Sequence, residues 1–65
     1  MKLKLRENGE YVTAIGHTVK LVFGDSTGWW GLVRMYTRDP MLVRYDMNGI
    51  CFGDPSNGNN IQREA

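Results

Sequence analysis

Two runs of strand-forming residues flank a turn in the stretch from Trp29 to Gly49, which reads WWGLVRMYTRDPMLVRYDMNG. Pro40 has no backbone N–H and cannot lie inside a central strand, so the turn is placed at Thr37 to Pro40. Closing this turn with Tyr36 opposite Met41 predicts a hairpin, because side chains then alternate between two faces. Its predicted core face carries one charge, Arg34, among seven apolar residues: Trp30, Leu32, Tyr36, Met41, Val43, Tyr45 and Met47.

The predicted register pairs Arg34 with Val43, Leu32 with Tyr45 and Trp30 with Met47. Adjacent residues of a strand point to opposite faces, so Trp30 is expected inside and Trp29 outside. A slip of one residue would exchange the two faces of the hairpin. The more exposed tryptophan is therefore expected to be Trp29.

The remaining chain also favours short strands joined by turns. Strand patterns are present at Lys2 to Arg6, Tyr11 to Gly16, His17 to Phe23 and Ile50 to Phe52, with Asn-Gly pairs at 8–9 and 48–49 and a turn-forming run at 24–28. Gly16 is interpreted as a bulge or break in its strand. No segment has the apolar spacing of a helix over a useful length. The sequence predicts an all-β fold: a small antiparallel meander of five or six strands, as a twisted sheet or a small SH3-like barrel.

Residues 1–52 are predicted to form a single β domain. Residues 53–65 read GDPSNGNNIQREA and contain one large apolar residue, Ile61. This composition is typical of a flexible tail. A short closing strand around Asn60 to Arg63, held in place by Ile61, is the alternative interpretation.

Size and composition limit how the domain is stabilised and where it acts. A chain of 65 residues buries about 60% of the surface exposed by its unfolded form. One cysteine and one histidine supply neither an internal disulfide nor a four-ligand zinc site, so we expect self-association to add stability. The chain has no apolar run of about 20 residues and no signal-peptide core, and we expect a cytoplasmic protein without membrane contact.

The sequence contains few groups suited to catalysis, and no cofactor or metal is expected. His17 has no partner placed beside it, and we expect one ring nitrogen to bond to backbone or water. Cys51 lies between Ile50 and Phe52 and is interpreted as a small buried apolar residue. The acidic residues near Asn48 lack the ligand spacing of a calcium loop. The protein is expected not to be an enzyme.

Two binding functions remain open. In the first, the protein is a protein-interaction module that binds itself or a host protein, and the candidate partner-binding residues are Trp29, Trp30 and Arg44. In the second, it is a small β-barrel that binds single-stranded nucleic acid by stacking bases on aromatics beside cations. The candidate residues for that function are Lys2, Lys4, Arg6, Arg34 and Tyr36. A net charge of +1 is far from strongly basic and disfavours the second function.

The order of elements resembles small all-β proteins of unknown function that phages and prophages encode. Gly9, Val12 and Ile15 match a Gly-x-x-Val-x-x-Ile opening, and Tyr45, Asp46 and Gly49 match an aromatic residue followed by an acidic-x-x-Gly turn. The resemblance implies an accessory protein of a mobile element that binds a host or defence protein. It carries over no functional residue.

The stretch from Val19 to Val33, VKLVFGDSTGWWGLV, is also similar to Sm-like RNA-binding barrels, because a strand and a glycine-containing turn lead to another strand. That similarity implies an RNA-binding ring. The chain departs from the Sm-like pattern in lacking the amino-terminal helix and the Asp-x-x-Met-Asn signature.

Overall fold

A computed structural model describes residues 4–35 and 39–65, which form one antiparallel sheet. Its five strands are β1 (Glu10–Thr13), β2 (Thr18–Asp25), β3 (Gly28–Arg34), β4 (Met41–Asp46) and β5 (Ile61–Glu64). The order across the sheet is β4-β3-β2-β1-β5, so the first four strands form a meander and the fifth returns beside the first. The predicted all-β antiparallel meander is confirmed, and the described residues contain no helix.

The two ends of the sheet approach each other. The backbone N–H of Ile61, at the start of β5, donates to the carbonyl of Gly49 in the turn after β4, over 3.0 Å. The hydroxyl of Tyr45 on β4 donates to the carbonyl of Asn59 over 2.7 Å. The sheet therefore curls, and its concave face surrounds the core.

The core consists of the buried residues of this concave face and the segment after β4. Its members are Tyr11, Val19, Leu21, Val33, Val43, Tyr45 and Cys51, and the partly buried Leu5, Trp29, Met35 and Ile61 pack against them. Cys51 is buried, as predicted from its apolar neighbours. It forms an isolated β-bridge with Tyr45, which confirms that the short segment after the second Asn-Gly turn pairs back onto the preceding strand.

The predicted first strand is wrong over its described part, because Lys4 to Arg6 has no strand structure. Lys2 lies outside the described residues. The Asn8-Gly9 turn is present, with Asn8 at φ 64°. The position beside β1 that was predicted for this strand is occupied by β5. The backbone of Lys4 to Arg6 bonds instead to the hydroxyl of Tyr11, which accepts from Arg6 N (3.0 Å) and donates to Lys4 O (3.1 Å).

Gly16 lies in the turn between β1 and β2, so the break predicted there is present, between two strands. Gly16 N donates to the carbonyl of Thr13 over 3.0 Å, and Gly16 has a φ of 89°. Glycine adopts this left-handed conformation without the steric cost of a Cβ atom. The strand that was expected to reach Gly16 therefore ends at Thr13.

The predicted register of β3 against β4 is also wrong. The structure pairs Trp29 with Tyr45, Trp30 with Arg44, and Gly31 with Val43. The two strands are therefore displaced by three residues from the prediction, and an odd displacement exchanges the faces of β3. Gly31 explains why the observed register is preferred: the Tyr45 ring lies against it, and a Cβ at position 31 would be 2.8 Å from that ring.

The exchange changes the predicted core face. Val43 and Tyr45 are buried as expected, whereas the exposed large apolar residues include three that were predicted inside: Trp30, Met41 and Met47. Leu32 is half-buried and pairs with Leu42 on the convex side. Arg34 is exposed on that side too, and Tyr36 lies outside the described residues.

Residues 53–65 were interpreted either as a flexible tail or as a segment with a short closing strand. The structure contains the closing strand, β5. A loop precedes it, and buried Asn60 ties that loop to the core. The side-chain oxygen of Asn60 accepts from Cys51 N over 2.6 Å, and its amide nitrogen donates to Asp54 O over 2.9 Å. These bonds satisfy buried polar groups that would otherwise be costly.

Candidate functional site

Large apolar side chains are exposed on the convex side of β2, β3 and β4. Cross-strand partners share a face, and the register brings one set of side chains together there. We call this set the outer face, and its members are Thr18, Lys20, Phe23, Asp25, Trp30, Leu32, Arg34, Leu42, Arg44 and Asp46. Phe23 is 55% exposed, Leu42 54% and Trp30 37%, so large apolar groups on three adjacent strands meet solvent.

A β-bulge creates part of this surface. The register of β2 against β3 shifts between Leu21 and Phe23, so Leu21 lies opposite Gly31 and Phe23 lies opposite Trp30. Simple alternation would place Leu21 and Phe23 on the same face, whereas Leu21 is buried and Phe23 is exposed. The extra residue at the bulge, Val22, therefore turns Phe23 towards the outer face.

Trp30 is held in place by a neighbouring cation. The guanidinium carbon of Arg44 lies 5.2 Å from the centroid of the Trp30 ring, within the range of a cation–π interaction. Arg44 Nη2 donates to Asp25 Oδ1 over 2.9 Å and also to Thr27 Oγ1. Arg44 Nη1 is buried and has no hydrogen-bond partner among the described residues. The guanidinium is thus fixed over one face of the indole.

Asp25, the last residue of β2, supplies the carboxylate that orients Arg44. Asp25 Oδ1 accepts from Thr27 N (2.8 Å), Thr27 Oγ1 (2.7 Å) and Gly28 N (3.0 Å). The hydrogen bond from Arg44, followed by those from Thr27, holds the pKa of Asp25 well below its usual range. Asp25 and Thr27 were not identified from the sequence as site residues, although an aspartate two residues before threonine in a turn is a signal for this side-chain bonding.

Trp29 occupies the opposite side of the same strand. It pairs with Tyr45, and its ring lies across Gly24, where a Cβ would be 2.5 Å from the nearest ring atom. Trp29 is half-buried and packs against the core. The prediction that Trp29 is the more exposed tryptophan is therefore wrong. Trp30 is the tryptophan on the outer face, beside the predicted partner-binding residue Arg44.

The outer face carries cations beside carboxylates, because Asp25 and Asp46 lie on it and Glu10 of β1 is the cross-strand partner of Lys20. Ion pairs among the described residues are Arg44 with Asp25, at 2.9 Å, and Arg6 with Glu64, at 2.5 Å. Lys20 and Arg34 take part in neither of these pairs. Arg34 also lines a shallow cavity of about 180 Å³ with Gly16, Thr18 and Met35.

The candidate nucleic-acid residues do not gather on one described surface. Arg6 lies against β5, where its hydrogen bond with Glu64 raises the pKa of the guanidinium. Lys4 is exposed in the same amino-terminal segment. Arg34 lies on β3, and two strands separate β3 from β5 in the sheet. Lys2 and Tyr36 lie outside the described residues.

The described side chains suited to catalysis or metal binding are dispersed. His17 Nδ1 lies 3.2 Å from the side-chain oxygen Oδ1 of Asn59. Burial, followed by the charge of Asp54, raises the pKa of the Cys51 thiol, which disfavours the reactive thiolate. Within residues 4–35 and 39–65, no group of three His, Cys, Asp or Glu side chains could hold a metal ion.

No helix among the described residues is long and apolar enough to cross a membrane. The cytoplasmic location and the resemblance to phage-encoded proteins stay predictions. Comparison with protein-family models, curated proteins and solved structures finds no match for this chain.

Proposed function

We propose that this protein is a non-enzymatic interaction module that binds a protein, either a second copy or a host protein, through the outer face. The observation that carries the proposal is the exposed indole of Trp30, fixed by Arg44 in the middle of a three-stranded apolar surface. Tryptophan and arginine are enriched among the residues that dominate binding energy in interfaces. A phage or mobile-element accessory role, implied by the resemblance, is part of this proposal.

The surroundings of Trp30 support a role as an anchor. Phe23 and Arg44 are its cross-strand neighbours, and Leu42 lies on the same face of β4. All of these residues are on hydrogen-bonded strands, so little conformational freedom is lost when a partner covers them. Apolar side chains that already meet solvent gain free energy when they are buried in an interface.

The proposal is tested by capture of proteins from a lysate of the native cell with tagged protein and by its elution volume on a sizing column. We expect Trp30→Ala and Leu42→Ala to abolish capture or self-association while the circular dichroism spectrum is unchanged. Met47→Ala is the matched control, since Met47 is as exposed as Leu42, at 54%, but lies in the turn after β4. Equal capture and equal elution by all variants would contradict the proposal.

Single-stranded nucleic acid is the second candidate ligand, because Phe23 and Trp30 are adjacent aromatics on a face that also carries Lys20 and Arg34. It is the weaker candidate, since Arg44 already covers one face of the Trp30 ring on which a base would stack. Binding of this kind would weaken steeply with salt. A gel-shift series with single-stranded DNA and RNA at low salt decides between the candidates, and we expect no shift.

A further inference from the structure

We propose that the partner of the outer face is a second copy of the chain, packed face to face and turned end to end, so that Trp30 lies over Leu32 of the other copy. This inference rests on the proposed protein-binding function and names the partner. Three features of the outer face support it: the order of its side chains along the strands, the opposite charge of its two ends, and the hydrogen-bonding atoms that remain free at those ends.

Cross-strand pairing arranges the outer face in rows that run across β2, β3 and β4. Successive rows are two residues of β3 apart, or about 7 Å. The large apolar side chains are in the second and third rows, so the centre of the face is apolar and its two ends are polar. From the first row to the fourth, the members are Asp25, Gly28 and Asp46; Phe23, Trp30 and Arg44; Lys20, Leu32 and Leu42; and Thr18 and Arg34.

The two ends of the outer face differ in charge. The first row contains two carboxylates, and Arg44 of the second row compensates one of them. The fourth row contains Arg34, and Lys20 of the third row has Glu10 of β1 as its cross-strand partner. One end therefore has an excess of negative charge and the other an excess of positive charge. Such a face is complementary to a copy of itself that is turned end to end, whereas an acidic or a basic segment would meet like charge at one end.

A two-fold axis that runs along the rows, midway between the second and the third, produces this arrangement. It places the first row of each copy over the fourth row of the other, and the second row over the third. Trp30 then covers Leu32 of the other copy, and this contact occurs twice because both subunits use the same patch. It buries apolar surface that meets solvent in the single chain. An axis along the strands would instead place Arg34 over Arg34, and like charges in an interface cost free energy.

The charged groups of the first and fourth rows keep hydrogen-bonding atoms for a partner. The hydrogen bonds that the carboxylates of Asp25 and Asp46 make with described residues all use Oδ1. Oδ2 of each carboxylate is therefore available as an acceptor. Arg34 is exposed and takes part in no ion pair among the described residues. A guanidinium carries five N–H donors, so one Arg34 side chain can donate to both carboxylates of the other copy.

The curvature of the sheet limits the size of this contact. The outer face is convex, so two copies meet along β3 and diverge towards β2 and β4. Interfaces that bury less than about 1,200 Å² in total belong to weak and transient complexes. The dimer is therefore expected to form in concentrated solution and to dissociate on dilution.

The first experiment measures association of the full chain over a range of concentration. Sedimentation equilibrium gives the dissociation constant, and backbone amide signals in NMR spectra locate the contact. We expect a monomer–dimer equilibrium in which dilution shifts the amides of β3, from Gly28 to Arg34, and leaves those of β5 unchanged. Leu32→Ala removes one side of the central contact and should weaken the dimer by at least about tenfold, because the contact is lost twice.

A double-mutant cycle tests the end-to-end arrangement. Asp46→Asn keeps the Oδ1 that accepts from the backbone of the turn after β4 and removes the charge. It should weaken the wild-type dimer by about threefold, since two exposed charge pairs are lost. Arg34→Glu should weaken the dimer by about tenfold, because it places like charges together. In the Arg34→Glu background, Asp46→Asn should instead strengthen the dimer, because it removes a repelling charge.

This reversal of sign reports a contact between copies. Arg34 and Asp46 of one chain are in the fourth and first rows, about 20 Å apart, which exceeds the screening length of about 10 Å at 0.1 M salt. Residues that far apart in one chain act additively. Arg63→Glu is the matched control, because Arg63 is an exposed strand arginine on β5 at the edge of the sheet. It should change the dissociation constant less than about twofold.

The proposal is overturned if the chain stays monomeric at every concentration, if dilution shifts amides of β5 instead of β3, or if Asp46→Asn has the same effect in both backgrounds. A monomeric chain that captures a host protein, and loses it in Trp30→Ala, would overturn the dimer and leave the proposed protein-binding function standing. Capture and association that are both insensitive to Trp30→Ala would instead remove the proposed function.

Discussion

The two faces of strands β2, β3 and β4 differ in packing, although both carry large apolar side chains. On the concave face, Leu21 and Val33 are completely buried, whereas Phe23 and Leu42 on the convex face are more than half exposed. An antiparallel sheet with one solvated side commonly alternates apolar residues inside with polar residues outside. Here the outside is also apolar at its centre. The comparison separates residues that stabilise the monomer from residues that are available to a partner.

Two leucines test this separation with the same substitution. Leu21→Ala removes a buried side chain and should lower the free energy of unfolding by about 2–5 kcal/mol. Leu42→Ala removes an exposed side chain and should change it by less than about 0.5 kcal/mol. Urea unfolding of both variants and the wild type, followed by circular dichroism, gives the two values.

A large loss of stability in Leu42→Ala would show that something in the folded protein covers the outer face. Repeating the measurement over a range of protein concentration identifies a second copy as the cover, because the stability of an associated state depends on concentration. A concentration-independent loss would contradict the assignment of Leu42 to a free surface.

The adjacent tryptophans of β3 lie on opposite faces, so their substitution compares the two faces at a single point of the strand. Trp29→Ala removes a ring that packs against the core and across Gly24, and should cost about 2 kcal/mol or more. Trp30→Ala removes an exposed ring and its interaction with Arg44, and should cost about 1 kcal/mol or less. Urea unfolding ranks the variants, and a larger loss in Trp30→Ala would reverse the assignment of inside and outside.

The sequence predicted the fold class because strand patterns and turns are local. The chain reverses at both predicted Asn-Gly pairs, at 8–9 and 48–49. The register between β3 and β4 could not be derived in this way, since it depends on the fit of the Tyr45 ring over Gly31. The placement of β5 beside β1 is also non-local: it displaces the predicted first strand, and nothing in the pattern of Lys2 to Arg6 signals that competition.

The candidate site was predictable only in part. Trp30 and Arg44 were identified from their residue types, but their contact follows from the cross-strand register. The exposed position of Phe23 does not follow from simple alternation, because a bulge interrupts β2. Lys20, Leu32 and Leu42 become part of a surface only when three strands are aligned. A pattern of period two along one strand holds no information about these neighbours.

The smallest expected effect concerns the ion pair between Asp25 and Arg44, the residue that lies over the Trp30 ring. The folded-state pKa of Asp25 is lowered, first by the hydrogen bond from Arg44. The contribution of such a carboxylate is fully present above the unfolded value, about pH 4, and is lost as the pH falls through the lower folded-state value. The NMR signal of the Trp30 indole N–H should therefore stay constant from pH 7 to about pH 4 and move only in stronger acid.

Asp25→Asn tests the same contact at neutral pH. The neutral amide weakens the orientation of Arg44, so the Trp30 indole signal of this variant should already be displaced at pH 7. The Trp29 indole, on the opposite face, is the internal control and should not move in the variant, nor in acid until the protein unfolds. A Trp30 signal that titrates near the ordinary aspartate value, or that is the same in Asp25→Asn, would show that Asp25 does not hold Arg44 over the ring. The exposed indole would then be free to reorient, and the outer face would lose its fixed anchor while its apolar surface remained.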